Sequence, residues 1–328
     1  MKLAKSKDEP VETRWPALKA FYEGLERTLH ECGISSLTTG GNACVVYGLA
    51  QMTKDCDIII PVEKSVEVLQ ILAKTTLRGN SCHFTLKYGG PLHSRWLNGG
   101  WSSHTFFGPV SKPLARVDLF VKPPRVTFLQ HDEHPRYLSR DGVARMKKTR
   151  RAKDWAFANL LGVQMVKRGD IAGILHITDL KVLADLANKS NIPAPLVAER
   201  PLLKLVQEQH PDVERYLKAE IEFWTQLDDL RLTAYETAWV PYGRELEKNP
   251  KLAERNLLDQ HKCLVEIADQ RLDPNPLQTV GFQNLIAQAK EKTARIFHDI
   301  DVTLLPASAA FFWEKPVATG QPRSEFEL

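Results

Sequence analysis

Two aspartates separated by one residue, Asp55 and Asp57, lead directly into the isoleucine run 58–60. Side chains two residues apart on a strand point to the same face, so both carboxylates lie together while Cys56 points into the core. Neighbouring carboxylates repel one another unless a cation lies between them. Mg²⁺ is typically bound by one or two carboxylates together with the phosphates of a substrate. The pair therefore predicts a magnesium-dependent site at the start of a buried strand.

A glycine pair, Gly40-Gly41, precedes this strand and opens an apolar, helix-like segment. The free backbone N–H groups at the start of a helix can hold a phosphate chain. A third acidic residue, Asp118, lies at the centre of a strand-like stretch that ends before Pro123. A glycine pair or an Asp-x-Asp sequence alone is common in loops, but acids beside a buried strand are costly without partners. The combination of these features indicates nucleotide chemistry.

These features resemble the DNA polymerase beta-like nucleotidyltransferase superfamily. Its signature is a Gly-Gly or Gly-Ser pair, a spacer, an Asp-x-Asp pair and a third carboxylate on a later strand. The resemblance covers residues 15 to 125 and, more weakly, residues 147 to 154. Within the superfamily, the chain is most similar to the minimal bacterial nucleotidyltransferases, including those of the abortive-infection and toxin–antitoxin type. Gly41 stands where relatives can carry serine, so a side-chain contact to phosphate would come from Thr39 or Asn42.

The resemblance implies transfer of a nucleoside monophosphate from an NTP, such as ATP, to an acceptor hydroxyl, with release of pyrophosphate. It implies two Mg²⁺ ions, with Mn²⁺ as an alternative, held by Asp55, Asp57 and Asp118. Relatives often place an Arg/Lys-Asp element at the nucleotide cleft, and Asp154 would belong to that element here. The nucleotide-binding residues expected on this basis are Thr39, Gly40, Gly41, Asn42, Arg151 and Lys153.

The sequence leaves the acceptor open. RNA, such as a tRNA end, is favoured by the basic run 145–153, in which Lys147, Lys148 and Arg150 could meet a polyanion. A protein side chain or a small molecule such as an antibiotic is the second class of acceptor. The third reading is a catalytically silent module that binds nucleotides or a partner, and the intact set of three acids counts against it.

Composition is that of an ordinary soluble globular protein. The chain has 328 residues, 43% of them apolar and 26% charged, with a net charge of +4; this length favours two domains. The mild positive charge permits a nucleic-acid partner without demanding one. No apolar run is long enough for a membrane span, and the charged N-terminus lacks a signal core. Five cysteines without Cys-x-x-Cys spacing favour reduced thiols in the cytoplasm over disulfides or zinc.

The order of elements predicts an α+β fold. A small mixed β-sheet nucleotidyltransferase domain is expected at 1–140, an all-helical domain at 141–305 and a loosely attached tail at 306–328. Apolar periodicity predicts helices at 17–32 and 64–77, and strands at 82–88, 102–107, 115–121 and 125–129. Further helices are predicted at 154–167, 177–189, 199–209, 212–247, 251–271 and 275–300. The sequence His131-Asp132-Glu133-His134 is interpreted as a solvated loop rather than a metal site.

Overall fold

The computed structural model describes residues 11–126, 128–189, 191–306 and 318–319. It shows a mixed sheet in the first half of the chain and helices through most of the second, so the predicted α+β class is confirmed. Residues 1–10 lie outside the described residues. The same holds for most of the predicted tail, residues 307–317 and 320–328.

Six strands form the main sheet in the order β1-β2-β6-β5-β4-β3. Strands β2 and β6 are parallel, and the other neighbouring pairs are antiparallel. The strands are β1 Leu37–Thr39, β2 Asp55–Ile59, β3 Thr76–Leu77, β4 Asn80–Phe84, β5 Ser103–Phe107 and β6 Ala115–Phe120. A separate parallel pair joins β7 Phe128–Leu129 to β8 Ala318–Thr319, so only part of the strand predicted at 125–129 forms.

One face of the sheet packs against α1 (Val11–Glu31) and α3 (Ser65–Lys74). The side chains of α1 that recur every three or four residues, among them Leu18, Leu25 and Leu29, are buried there, as amphipathic periodicity requires. Cys56 and Ile58 of β2 point into the same core. The alternate residues of β2 point to the other face of the sheet. Ile59 is one of them, and it belongs to a second core with α2 (Gly40–Val46) and α5 (Arg140–Met146).

The second half of the chain is built on the long helix α10. Helices α4 and α6–α13 are Ser94–Leu97, Ala152–Lys167, Leu180–Lys189, Ala194–Glu199, Leu202–Gln207, Val213–Glu247, Leu257–Arg271, Pro276–Val280 and Phe282–Ile296. The helix predicted at 275–300 is therefore two helices separated at Gly281. Tyr242 of α10 and Leu264 of α11 belong to the same core as the sheet. Sheet and helices thus share one core across the predicted domain boundary at residue 140, which stays a prediction.

All five cysteines are free, and three of them, Cys44, Cys56 and Cys82, are buried. Burial raises the pKa of these three thiols, which keeps them protonated and unreactive. Among the described helices, none combines the length and the apolar character needed to cross a membrane.

Candidate active site

The three predicted catalytic aspartates lie on the two parallel strands at the centre of the sheet. In the β2–β6 register Asp57 is the partner of Asp118, and Asp55 precedes Asp57 by two residues on the same strand. Residues paired in register project to the same face, as do residues two apart. All three carboxylates therefore share one face of the sheet. That face is covered by α2 and α5 further along the strands but is only half-buried at the aspartates.

Electrostatics show how crowded this cluster is. Burial, reinforced by the charges of Asp118 and Asp55, raises the pKa of Asp57 to about 7. The positive charge of Lys147, and that of His104 when protonated, opposes this shift without cancelling it. An excess of negative charge that local cations do not neutralise is the environment that binds a hard divalent ion.

The outer two carboxylates are each engaged by a neighbour. Thr53 Oγ1 donates to Asp55 Oδ1 at 3.0 Å, and His104 Nδ1 lies 2.8 Å from Asp118 Oδ1. Across the described part of the chain, no group of three or more His, Cys, Asp or Glu side chains is arranged so that it could hold a metal ion. The donor chemistry fits Mg²⁺ or Mn²⁺, and the contacts with Thr53 and His104 each involve Oδ1, which leaves Oδ2 of Asp55 and of Asp118 for an ion.

The glycine pair is required by close packing against the carboxylate cluster. Gly40 has a φ of +62°, and a Cβ at this position would overlap Asp57 Oδ2. A Cβ at Gly41 would overlap Thr53 Oγ1, the group that holds Asp55. The backbone at the start of α2 therefore touches the acids directly. Because α2 has only seven residues, its dipole contributes little, and the pair acts mainly by allowing this approach.

Thr39 and Asn42, the other residues predicted here to bind nucleotide, are both buried. Thr39 Oγ1 lies 3.3 Å from the sulfur of Met146 and does not cap α2. Asn42 Nδ2 donates to the carbonyl of Asp55 at 2.9 Å. Asn42 thus ties α2 to β2, and its amide positions the first aspartate.

The Arg/Lys-Asp element forms around a buried aspartate. Asp154 is 1% exposed, and its carboxylate lies 3.3 Å from Lys147 Nζ and 2.6 Å from Arg151 Nε. It also accepts from Thr149 Oγ1 at 2.8 Å. Lys147 connects this element to the acids, because its charge acts on both Asp57 and Asp154. Arg151 reaches the element from the surface.

Lys153 lies at an exposed position of α6. Within the described residues its side chain makes no ion pair, whereas Lys147 and Arg151 both pair with Asp154. The structure therefore brings Arg151 to the buried aspartate and leaves Lys153 in solvent. Of the two lysines, Lys147 is the one whose charge acts on Asp57.

The basic run is not a cationic surface. Lys147 and Lys148 are only 9% and 8% exposed; Lys148 Nζ donates to the carbonyl of Leu175 at 3.0 Å. Arg150 is exposed, but its guanidinium pairs with Asp229 at 2.8 Å. The expectation that Lys147 and Lys148 present an open surface to RNA is therefore wrong, because both side chains are buried.

The His131–His134 segment also has a structural explanation. Arg140, which is buried, lies 2.9 Å from Asp132 Oδ2 and 2.8 Å from Glu133 Oε1. These ion pairs fix the segment to the start of α5 and hold the pKa of Glu133 at about 2. Both acids serve as anchors for an arginine.

Sequence reasoning missed His104 and the position of Lys147. His104 lies directly across from Asp118 in the β5–β6 register, so a correct pairing of the two predicted strands would have identified it. The role of Lys147 depends on how the turn after α5 folds back toward Asp57, and no local pattern indicates that.

A cavity of about 520 Å³ adjoins the cluster at His104. Its lining comes from the segment before β5 and from α10, which are separated by more than a hundred residues in sequence. Comparison of the chain with protein-family models, with curated proteins and with solved structures finds no match.

Proposed function

We propose that this protein is a nucleotidyltransferase that moves a nucleoside monophosphate from an NTP to an acceptor hydroxyl. The single observation that supports it best is the register of the two central strands, which sets Asp57 beside Asp118 with Asp55 on the same face. Three carboxylates at the centre of a sheet have no stabilising role for one another, since burial together with their mutual repulsion raises the pKa of Asp57 to about 7. Such an arrangement is maintained for a ligand.

Asp55, Asp57 and Asp118 would hold divalent ions, with Mg²⁺ or Mn²⁺ fitting the oxygen donors. When bound, these ions supply charge neutralisation for the triphosphate and for the developing charges of an in-line displacement. In that displacement the acceptor oxygen forms a bond to the α-phosphorus. The bond from the α-phosphorus to the bridging oxygen breaks, and pyrophosphate leaves with the bonding electrons. The hydroxyl proton goes to Asp118.

The residues around the acids divide into two sides. On the β1 side lie the glycine pair and the Lys147–Asp154–Arg151 element, whose two cations can hold the triphosphate. On the β5 side lies His104, 2.8 Å from Asp118. His104 orients the carboxylate that takes the proton, and it lines the adjoining cavity. The acceptor therefore approaches from the β5 side.

The test is transfer of label from each of the common NTPs, radiolabelled at the α-phosphate, in the presence of Mg²⁺. Total RNA, a cell extract and a set of small hydroxyl compounds serve as acceptors in separate reactions. We expect label in one acceptor class with wild-type protein, and a loss of about 10³-fold or more in Asp57→Asn, since a group that holds the ions supplies several kcal/mol.

The matched control is Asp229→Asn. Asp229 is an aspartate of α10, 47% exposed in its side chain and paired with Arg150. Its substitution removes the same charge without touching the cluster, so transfer should be unchanged. Label incorporated equally by wild-type and Asp57→Asn protein would contradict the proposal.

A further inference from the structure

A second cavity, of about 420 Å³, lies where the end of β6 and the loop before β5 meet helices α10, α12 and α13. None of the three aspartates of the carboxylate cluster is among the described residues that line it. It shares Gly100, Arg231 and Tyr235 with the cavity beside His104, and these residues lie where the loop before β5 contacts α10. Its volume is in the range of sites that enclose small molecules. This second cavity is therefore a candidate ligand site apart from the carboxylate cluster.

Hydrogen bonds hold the walls of the second cavity in place. Tyr235 Oη donates to the carbonyl of Gly99 at 2.9 Å, which ties α10 to the loop before β5. Trp101 Nε1 in the same loop donates to the carbonyl of Asp273 at 2.9 Å. The backbone N–H of Asn275 donates to Asp273 Oδ1 at 2.9 Å, which orders the segment that leads into α12. Because both sides are held by such bonds, the cavity is part of the folded structure rather than a gap left by loose packing.

The charged side chains that line this cavity are basic. They are Lys122, from the end of β6, and Arg231, from α10. No aspartate or glutamate is among the described residues of the lining. A cleft lined by one sign of charge concentrates ions of the opposite sign. The cavity is therefore suited to an anion.

Lys122 is the cation with the least compensation. It lies two residues beyond the end of β6 and is half-buried. Burial lowers the pKa of its ammonium group, and no acid among the described residues acts against that shift. An ammonium that is partly removed from water and has no counter-ion is stabilised when an anion binds beside it.

Arg231 is a donor that is already held in position. Its Nη2 and Nε lie 3.1 Å and 3.3 Å from Asp228 Oδ1, and its side chain is 17% exposed. Both contacts are on one edge of the guanidinium, which leaves Nη1 for a ligand. A planar guanidinium fixed on one edge can donate charge-assisted hydrogen bonds to a carboxylate or a phosphate from the other.

The rest of the lining combines apolar surface with amide groups. Pro124, Leu277 and Phe282 supply the apolar part, and Asn98 and Gln278 supply amides at exposed positions. Small-molecule sites typically pair apolar surface with a few polar groups that fix the orientation of the ligand. A ligand that matches this lining has an apolar body and an acidic group, whereas an inorganic ion would leave the apolar surface uncovered.

We infer that the second cavity binds a small organic anion, a carboxylate or a phosphate monoester that carries an apolar ring or chain. Its acidic group meets Lys122 and Arg231, and its apolar body covers Leu277 and Phe282. The bound anion joins the end of β6, the strand that carries Asp118, to the helices of the second half of the chain. The inference does not depend on the proposed function, because the carboxylate cluster is not part of this cavity.

The first experiment uses anilinonaphthalene sulfonate, an aromatic anion that becomes fluorescent in apolar surroundings. We expect saturable binding to the full chain in buffer with EDTA. Lys122→Met should weaken that binding about 10-fold, the effect of losing one charge-assisted contact. Lys87→Met is the matched control, since Lys87 lines the cavity beside His104 instead, and it should bind the dye as wild type does. Equal affinity in wild-type and Lys122→Met protein, or no binding at all, would overturn the inference.

The second experiment separates charge from apolar contact. Phenylnaphthylamine has the same rings as the first dye but no sulfonate, so it should bind wild-type protein more weakly. Lys122→Met should remove most of the difference between the two dyes. The comparison on wild-type protein needs no variant, so it does not depend on how Lys122→Met folds. A neutral dye that binds wild type as tightly as the anionic one would contradict an anion site.

Competition against the anionic dye identifies the acidic group of the ligand. Benzoate, phenyl phosphate and phenol share one ring and differ in the group that would meet Lys122 and Arg231. Displacement of the dye by benzoate or phenyl phosphate supports the inference, and the stronger of the two identifies the acidic group. Displacement by phenol at the same concentration as by the better anion, or by none of the three compounds, would reject it.

Discussion

Two groups of charged side chains lie in this molecule, and they are balanced in opposite ways. In the carboxylate cluster of Asp55, Asp57 and Asp118, burial and the neighbouring like charges raise the pKa of Asp57 to about 7. In the junction network, where α5, α8 and α10 meet, partly or fully buried acids alternate with buried bases. The residues of this network are Asp141, Arg145, Lys148, His176, Glu199, Arg200 and Glu220.

The junction network gives each acid a partner. Arg145 Nε lies 2.8 Å from Asp141 and its Nη1 lies 2.6 Å from Glu199. The charge of Arg145, with a hydrogen bond from His176, outweighs burial and holds the pKa of Asp141 far below its ordinary value. The pKa of an aspartate is therefore raised in the carboxylate cluster and lowered in the junction network. Matched charge indicates structure, and unmatched charge indicates a ligand site.

The largest loss of stability is expected when a buried ion pair of the junction network loses one of its partners. Arg200 Nη2 lies 2.8 Å from Glu220 Oε2, and their side chains are 4% and 5% exposed. Glu220→Ala leaves a buried guanidinium without its counter-ion, so the free energy of unfolding should fall by about 3–5 kcal/mol. Urea unfolding measures it.

Glu214→Ala, on the same helix, is the matched control. Glu214 pairs with Lys218 at 2.7 Å, but both side chains are about two-thirds exposed. Solvent already screens that pair, so its loss should leave the unfolding midpoint unchanged. Equal destabilisation by the two substitutions would remove the distinction between buried and exposed pairs on which the comparison depends.

The carboxylate cluster should make the stability of the metal-free protein depend on pH. The folded-state pKa of Asp57, about 7, lies above the ordinary value of 3.8. The contribution of Asp57 to the free energy of unfolding is therefore fully present below about pH 4 and is lost as pH rises through 7. Metal-free protein should lose on the order of 1–3 kcal/mol of unfolding free energy from this group between pH 5 and pH 8. Chemical denaturation at several pH values measures this slope.

Asp57→Asn should flatten that slope and should be more stable than wild type at pH 8, because one of the crowded charges is gone. Asp229→Asn should keep the wild-type slope. A loss of stability at pH 8 in Asp57→Asn would show that the carboxylate holds the fold together, and the cluster would then belong with the junction network.

The sequence predicted the cluster well because its information is local. A two-residue spacing places Asp55 and Asp57 on one face of any strand, and the glycine pair lies close by in the chain. Asp118 was identified because its strand has a single acidic residue among apolar ones. Most helices of the second half were also predicted near their observed positions, since amphipathic periodicity is itself a local signal.

The junction network and the cavity beside His104 could not be predicted, because their partners are distant in sequence. Arg145 meets Glu199, and Trp101 bonds to a carbonyl at residue 273. No spacing rule connects such pairs. For the same reason the basic run was interpreted as a surface. Its composition is that of a solvated face, and only tertiary contacts bury the two lysines, with Lys147 over Phe157 of α6 and Lys148 over Trp224 of α10.

Mg²⁺ should raise the free energy of unfolding by a smaller amount than the change from pH 8 to pH 5 does. At ten times its dissociation constant, an ion that binds only folded protein adds about 1.4 kcal/mol, which raises the melting temperature by roughly 2–4 °C or less for a chain of this size. We expect this shift at pH 8 in wild-type and Asp229→Asn protein and its loss in Asp57→Asn. Differential scanning calorimetry measures it. An equal shift in Asp57→Asn would place the ion elsewhere.

The smallest expected effect concerns Lys147, whose charge acts both on a buried ion pair and on the carboxylate cluster. It pairs with buried Asp154 at 3.3 Å, and its charge also acts on Asp57. Under the proposed function, Lys147 contributes to triphosphate binding. Lys147→Met keeps the apolar stem beside Phe157. Asp154 retains Arg151 and Thr149, so the protein should fold.

We expect Lys147→Met to raise the apparent NTP constant about 5-fold, equivalent to about 1 kcal/mol, with the apparent constant for the acceptor unchanged. The comparison variant is Lys153→Ala, the lysine that the resemblance assigned to the nucleotide. Because Lys153 is exposed and Lys147 faces the acids, the effect of Lys153→Ala should stay below about 2-fold, as for a charge screened by solvent. Steady-state kinetics of both variants across NTP concentrations decides between them. A larger effect at Lys153 would assign the triphosphate to the exposed side of α6 and leave Lys147 as a member of the structural charges.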